Sequence, residues 1–132
     1  MSGRWRHLVW IPQVVLALAI GGGGLAKLFG DPAMVDLFAD IGAGQWFRYA
    51  VGTLEVAGAI GLLVPRLAFA SALGLVGLLA GAAVTNAAVL GVSVLTPLAY
   101  LAVAAFVAYA RRPTRAAEVT ARGSRRPGRS PR

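Results

Sequence analysis

Apolar residues run in long blocks, about 8 to 29, 46 to 64, 67 to 90 and 92 to 110, broken only where charge, proline and glycine cluster. As helices rising 1.5 Å per residue, these blocks reach roughly 28 to 36 Å, enough to cross a hydrocarbon core of about 30 Å with some tilt. The pattern therefore predicts an all-α fold, a four-helix transmembrane bundle. The breaks agree with it. "VPR" at 64 to 66 makes a tight, charged turn, and "LGVSVLTP" at 90 to 97 supplies Gly91, Ser93 and Pro97, which leaves the start of the last helix open over several residues.

Between the first two blocks the pattern changes. Asp31 and Pro32 stand as a helix cap and first position, Met34, Leu37, Phe38 and Ile41 follow at i, i+3, i+4 and i+7, Asp36 and Asp40 fall on the other side, and Gly42 is a stop. This spacing predicts a short amphipathic helix on the membrane interface, between the first and second spans. It is either a lid that only packs on the bundle or a gate.

Composition strengthens the membrane reading: 58% of the 132 residues are hydrophobic and 14% charged, too few polar residues to clothe a soluble domain. The opening "RWRH", an apolar run and "ALA" at 17 to 19 also follow the grammar of a signal peptide, but the run continues through "IGGGGLAKLF" to spanning length. Most of the net charge of +8 is local, because residues 111 to 132 hold eight arginines against Glu118. The chain thus divides into a transmembrane domain, 1 to 110, and a basic tail, 111 to 132, with little to bury and expected to be disordered. The tail reads as a topology signal that touches anionic lipid, with nucleic-acid or regulatory binding as the lesser alternative. Arg4, Arg6, Arg66 and the tail fall on one side of the membrane and Asp31, Asp36 and Asp40 on the other, so the positive-inside rule places both termini in the cytoplasm.

There is no cysteine, and the single histidine, His7, lies in the polar N-terminal flank. Disulfides, thiol redox couples and thiolate metal sites are excluded, haem would lack an axial ligand within the membrane, and zinc would lack convergent ligands. The expectation is that no cofactor is bound by ligands of the chain's own, and that any redox chemistry is borrowed.

Glycines suggest how the helices pack. Gly77 and Gly81 form GxxxG, Ala70 and Gly74 extend that face, and Gly52, Glu55 and Ala59 share one side of the second span; these faces are expected to meet inside the bundle. "GGGG" at 21 to 24 weakens helix propensity by about 1 kcal/mol per residue relative to alanine, so either a neighbour presses closely there or the helix bends or meets a ligand.

Glu55 raises the sharpest question, since it lies roughly 13 Å past Trp46 in its span, near the bilayer centre. A charge there costs roughly 2.5 to 3.5 kcal/mol on insertion scales, so the side chain should be protonated, paired or turned into the bundle. Arg48 shares its face, but both side chains lean toward the N-terminus of the helix and stay a turn apart. Lys27 comes from a helix of opposite direction and leans back toward the membrane centre; a Cα depth difference of roughly 9 Å is nearly spanned by its stem and the glutamate together. Lys27 and Glu55 are therefore expected to approach each other. Thr85 and Asn86 lean toward the same region, with Tyr49, Thr53 and Tyr100 as weaker candidates. The resulting cluster, Lys27, Arg48, Glu55 and Asn86, is either a pair that fixes helix register or a site for a proton, a quinone headgroup or another small ligand.

"GGGLAKLFG", "WFRYAVGTLEVAGAIGLLVPR" and "ALGLVGLLAGAAVTN", with the amphipathic connection after the first, resemble the DoxX-like family of small bacterial membrane proteins over about residues 20 to 90. The resemblance implies a four-helix membrane bundle and an association with terminal quinol oxidases, thiosulfate:quinone oxidoreductases or membrane complexes acting against oxidative stress. Lys27, Arg48 and Glu55 match the family's polar positions, whereas Thr85-Asn86 stands where relatives often have threonine and histidine. Asn86 does not titrate near neutral pH, which weakens a proton-relay or metal role there. The combined expectation is a non-catalytic accessory subunit of a quinone-linked redox system, with oxidoreductase subunits as partners, in the bacterial cytoplasmic membrane. A small proton-coupled transporter is the alternative from another class, although the arginine asymmetry fixes one orientation where antiparallel pairing needs balanced charge. An assembly factor for other membrane proteins is a third.

Overall fold

A computed structural model describes residues 3 to 113 as an all-helical chain, with no strand among the described residues. The tail expected to be disordered lies, from 114 onward, outside the described residues. Helix α1 spans Gly3–Phe29, α2 Pro32–Ile41, α3 Gln45–Leu63, α4 Ala68–Thr85 and α5 Leu95–Arg111; α4 runs on into a π-helical turn, Asn86–Leu90. The last helix starts three residues later than the apolar block at 92. Gly91, at φ 63°, and Val92 both give their N–H groups to the Asn86 carbonyl, which closes the wide turn and delays the next helix.

The short helix α2 forms where its spacing predicts, with Phe38 buried, Met34, Leu37 and Ile41 half-buried, and Asp36 and Asp40 exposed. Its cap is main-chain rather than carboxylate: the Asp31 carbonyl accepts from Met34 and Val35 at 2.9 and 3.0 Å. Gly42, at φ 81°, ends the helix by donating to the Phe38 carbonyl.

The four long helices alternate in direction, with α1 paired closely to α3 and α4 to α5, and the two pairs joined through α3 with α4 and α1 with α5. The core lies where they meet, built from Leu16 and Ile20 of α1, Leu62 of α3, Leu75 and Leu79 of α4 and Val107 of α5. With Ala59 on α3 and Ala104 on α5, the core residues of each helix recur at helical spacing, so one stripe per helix faces inward.

One packing expectation is overturned. Gly52 and Ala59 are buried, but they face α1, not the GxxxG face of α4. Ala70, Gly74, Gly77 and Gly81 are exposed, and a Cβ built on any of the three glycines meets nothing within 4 Å. The reason lies in the opposite face of α4. Ala68, Ala72, Leu75, Leu79 and Ala83 form the buried stripe, whose leucines fill the core better than glycines would.

Two helical stretches, Arg4–Phe29 and Ala68–Leu90, are long and apolar enough to cross a membrane; α5 is apolar but has 17 residues, and α3 is interrupted by Arg48 and Glu55. Length and composition thus mark two of the four expected spans.

Candidate functional site

The site begins with a close helix approach. A Cβ on Gly24 would lie 2.9 Å from the Gly52 carbonyl oxygen, and one on Gly52 would lie 3.0 Å from the Gly24 carbonyl oxygen. Only glycine at both positions lets the backbones of α1 and α3 touch. Gly21 meets Ala59 in the same seam, while Gly22 faces open space, so the glycine run is a packing surface inside an unbroken helix.

One helical turn beyond Gly24 and Gly52, this seam brings Lys27 and Glu55 together, with Nζ donating to Oε2 at 3.0 Å. Their side chains are 14% and 13% exposed, enough burial to make the pair matter to both. The contact is the one that helix direction predicts. No buried side-chain polar atom lacks a partner among the described residues, and none donates to Glu55 Oε1, so this oxygen is accessible. Lys27 likewise has two N–H groups beyond the one it gives to Glu55.

Arg48 is buried but does not touch Glu55. Its guanidinium donates to the Lys27 carbonyl and, at 2.8 Å, to Gln45 Oε1, and lies 4.3 Å from the centre of the Tyr49 ring. The Lys27 carbonyl belongs to the last turn of α1, which has no intrahelical donors and carries the negative end of the helix dipole. Main-chain donors also cap this end, Asp31 N–H at the Ala26 carbonyl and Gly30 N–H at the Lys27 carbonyl, so Arg48 adds a side-chain donor to that cap and holds the backbone from which the lysine side chain springs.

Asn86 joins no hydrogen bond with the pair; its Nδ2 donates to the Ser93 carbonyl at 2.9 Å and ties the α4–α5 connection. Thr85 and Thr53 donate back to carbonyls of their own helices, Gly81 and Tyr49, and Tyr49 and Tyr100 are exposed. The single cluster expected from sequence is therefore a lysine–glutamate pair, an arginine cap beside it, and an asparagine across a gap.

That gap is a cavity of about 330 Å³. Lys27 and Glu55 form its polar wall, α2 covers it with Leu37, Phe38 and Ile41, and Thr85 and Asn86 stand opposite. The two aromatic rings at its edge, Phe38 and Phe47, pack edge to face at 5.7 Å. Gly77 and Gly81 line it too, and their missing side chains leave the space open.

Sequence reasoning missed a second polar group at the other end of the bundle. Gln13 is fully buried; it donates to the Leu62 carbonyl and accepts from Arg111 Nε at 2.9 Å, while Arg111 reaches the Arg6 carbonyl at 3.1 Å. Its signal was the stripe itself, since Val9, Gln13, Leu16, Ala17 and Ile20 share one helical face and are all buried.

A helical chain with an apolar exterior and a lysine–glutamate pair beside an apolar cavity is the class that this geometry defines. The chain belongs to the DoxX-like family, whose model matches residues 11–107, a stretch that takes in every residue of the site. Family and the two apolar helices together point to a membrane protein. No curated protein and no solved structure matches the chain significantly.

Proposed function

We propose that the protein is a four-span integral protein of the bacterial cytoplasmic membrane, with both termini cytoplasmic, serving as a non-catalytic accessory subunit of a quinone-linked redox system. The observation that carries the membrane part is α4: its most apolar stretch is only 11% buried by the rest of the chain. A core helix of a soluble protein would be covered, and a surface helix would be polar on its outer side. The other helices present the same kind of surface, with Ile11, Val15 and Leu18 of α1, Leu54 and Ile60 of α3 and Leu95 of α5 all exposed. A patch that continuous needs lipid or protein against it. In the bundle, α3 and α5 lie alongside the two longer spans, and local thinning of the bilayer with snorkelling of flanking polar residues accommodates their shorter apolar runs. The accessory role rests on the family and on a chain without cysteine and with one histidine, which leaves redox chemistry to a partner.

The absence of cysteine makes the test clean. Asp36→Cys and Arg66→Cys, labelled in intact cells with a membrane-impermeant maleimide, should react before permeabilisation at position 36 and only after it at position 66. Equal labelling of both in intact cells refutes the topology. Purification in mild detergent should recover an oxidoreductase in stoichiometric amount, and recovery of the protein by itself argues against the accessory role.

A further inference from the structure

A second groove continues the first cavity along the seam between α3 and α4. It has a volume of about 270 Å³, is lined by Leu54, Gly58, Ser71 and Gly74 among others, and shares Leu78 with the first. From Gly81 to Ser71 the seam runs ten residues of helix, or about 15 Å. Gly74, Gly77 and Gly81 lie along it, and none has a neighbour within 4 Å of where a Cβ would stand. Glycines are retained in an apolar helix for close packing or for room, and here no packing partner uses them. At the far end the seam closes, because a Cβ on Gly58 would meet Leu75 at 2.8 Å and one on Gly61 would collide with Ser71. The seam is therefore a tapering slot, widest and most polar under α2.

From this shape we infer that the slot binds an uncharged, lipid-soluble molecule with a carbonyl- or hydroxyl-bearing head, the head lying against Lys27 and Glu55 and an apolar tail along the glycines of α4. The head's chemistry follows from the groups with capacity left. Lys27 offers N–H donors and Glu55 Oε1 an acceptor, so a head that both accepts and donates, or a carbonyl alone on the lysine, satisfies them. Neutrality follows from the wall. Lys27 and Glu55 cancel, Arg48 is engaged by the Lys27 carbonyl and Gln45, and Asp36 and Asp40 are on the exposed side of α2, so a net charge buried here would have no counter-ion. The volume under α2 falls within the roughly 300 to 1,000 Å³ usual for small-molecule pockets. Two sources in a membrane share this chemistry, a ring with carbonyl groups on a hydrocarbon tail and a neutral glyceride.

The inference rests on the membrane reading above, which cysteine labelling tests with no ligand added, so the two can fail separately. The full chain, reconstituted in phosphatidylcholine nanodiscs, is photolabelled with a diazirine-tailed benzoquinone and, in parallel, with a diazirine-tailed monoacylglycerol. At least one probe should label peptides containing Gly74 to Thr85, and excess decylubiquinone or dioctanoylglycerol should compete with it; the effective competitor identifies the source. Gly81→Leu should lower the labelling by about tenfold or more, equivalent to about 1.4 kcal/mol of binding, while Gly22→Leu, at an open position outside the slot, leaves it unchanged. If Gly81→Leu does not fold, Gly74→Leu in the tail groove supplies the same comparison. Labelling spread over α1 and α5 without competition, labelling that survives the leucine in a folded variant, or competition by oleate anion as strong as by the neutral compounds would overturn the inference.

Discussion

The bundle has a polar group at each end, and the two differ in what they leave unused. At the Arg111 end, both functions of the Gln13 amide are engaged, one by the Leu62 carbonyl and one by Arg111, and the side chain is wholly buried. At the α2 end, Lys27 and Glu55 share one hydrogen bond, Glu55 keeps an accessible oxygen, and a cavity adjoins both. Both groups join helices distant in sequence, so cross-linking alone does not separate structure from function. Spare hydrogen-bonding capacity facing a cavity does. A fully satisfied network rigidifies a core, whereas one with capacity left over is costly unless water or a ligand completes it.

The largest effect expected comes from breaking the pair on one side only. Glu55→Met leaves a lysine without its partner in an apolar wall and should destabilise the bundle by about 3 to 5 kcal/mol. Lys27→Met combined with Glu55→Met should restore most of that loss, because replacing a buried pair by apolar residues is often neutral. Thermal unfolding in detergent measures both. If the pair only fixes register, the double variant is fully native; if it also holds a ligand head, the double variant is stable yet no longer photolabelled.

Next in size are two changes expected to cost stability while leaving the slot intact. Gly24→Ala drives a methyl group against the Gly52 carbonyl and should cost about 1 to 3 kcal/mol by overpacking. Gln13→Leu removes the staple at the other end and leaves the Leu62 carbonyl unpaired, also about 1 to 3 kcal/mol. Detergent melting should show the loss in each, with photolabelling of Gly74 to Thr85 retained in Gln13→Leu. Labelling lost together with the staple would mean that the two ends are one cooperative unit, and the contrast between them would fall.

Much of this was legible in the sequence because it depends on period and direction. The helices follow from the apolar blocks and their breaks, α2 from its i, i+3, i+4, i+7 spacing, and the Lys27–Glu55 contact from the lean of side chains on antiparallel helices. What was not legible depends on which of several equivalent faces turns inward. On α4 every face is apolar or small, so nothing local shows that Leu75 and Leu79 point into the core and Gly77 and Gly81 away from it. Asn86 and Thr85 were placed in the right region, but a nearby backbone carbonyl satisfies each of them before the ion pair can. Gln13 was hidden for the opposite reason: an uncharged side chain in an apolar run gives no charge to explain, although its place in the buried stripe was open to counting.

The smallest effect is the most discriminating. Gly24 and Gly81 carry the same residue type in apolar helices, and close packing is an expectation from sequence for both. In the structure Gly24 is pressed on Gly52, while Gly81 borders empty space. Gly81→Ala should therefore leave thermal stability unchanged or raise it by up to about 1 kcal/mol, the usual gain in helix propensity when no contact is strained. A loss as large as that of Gly24→Ala, measured by the same melting experiment, would show that a second copy of the chain or another helix packs on this face in the membrane. Stability kept by alanine, together with photolabelling reduced by leucine at the same position, would assign Gly81 to making room rather than to holding helices together.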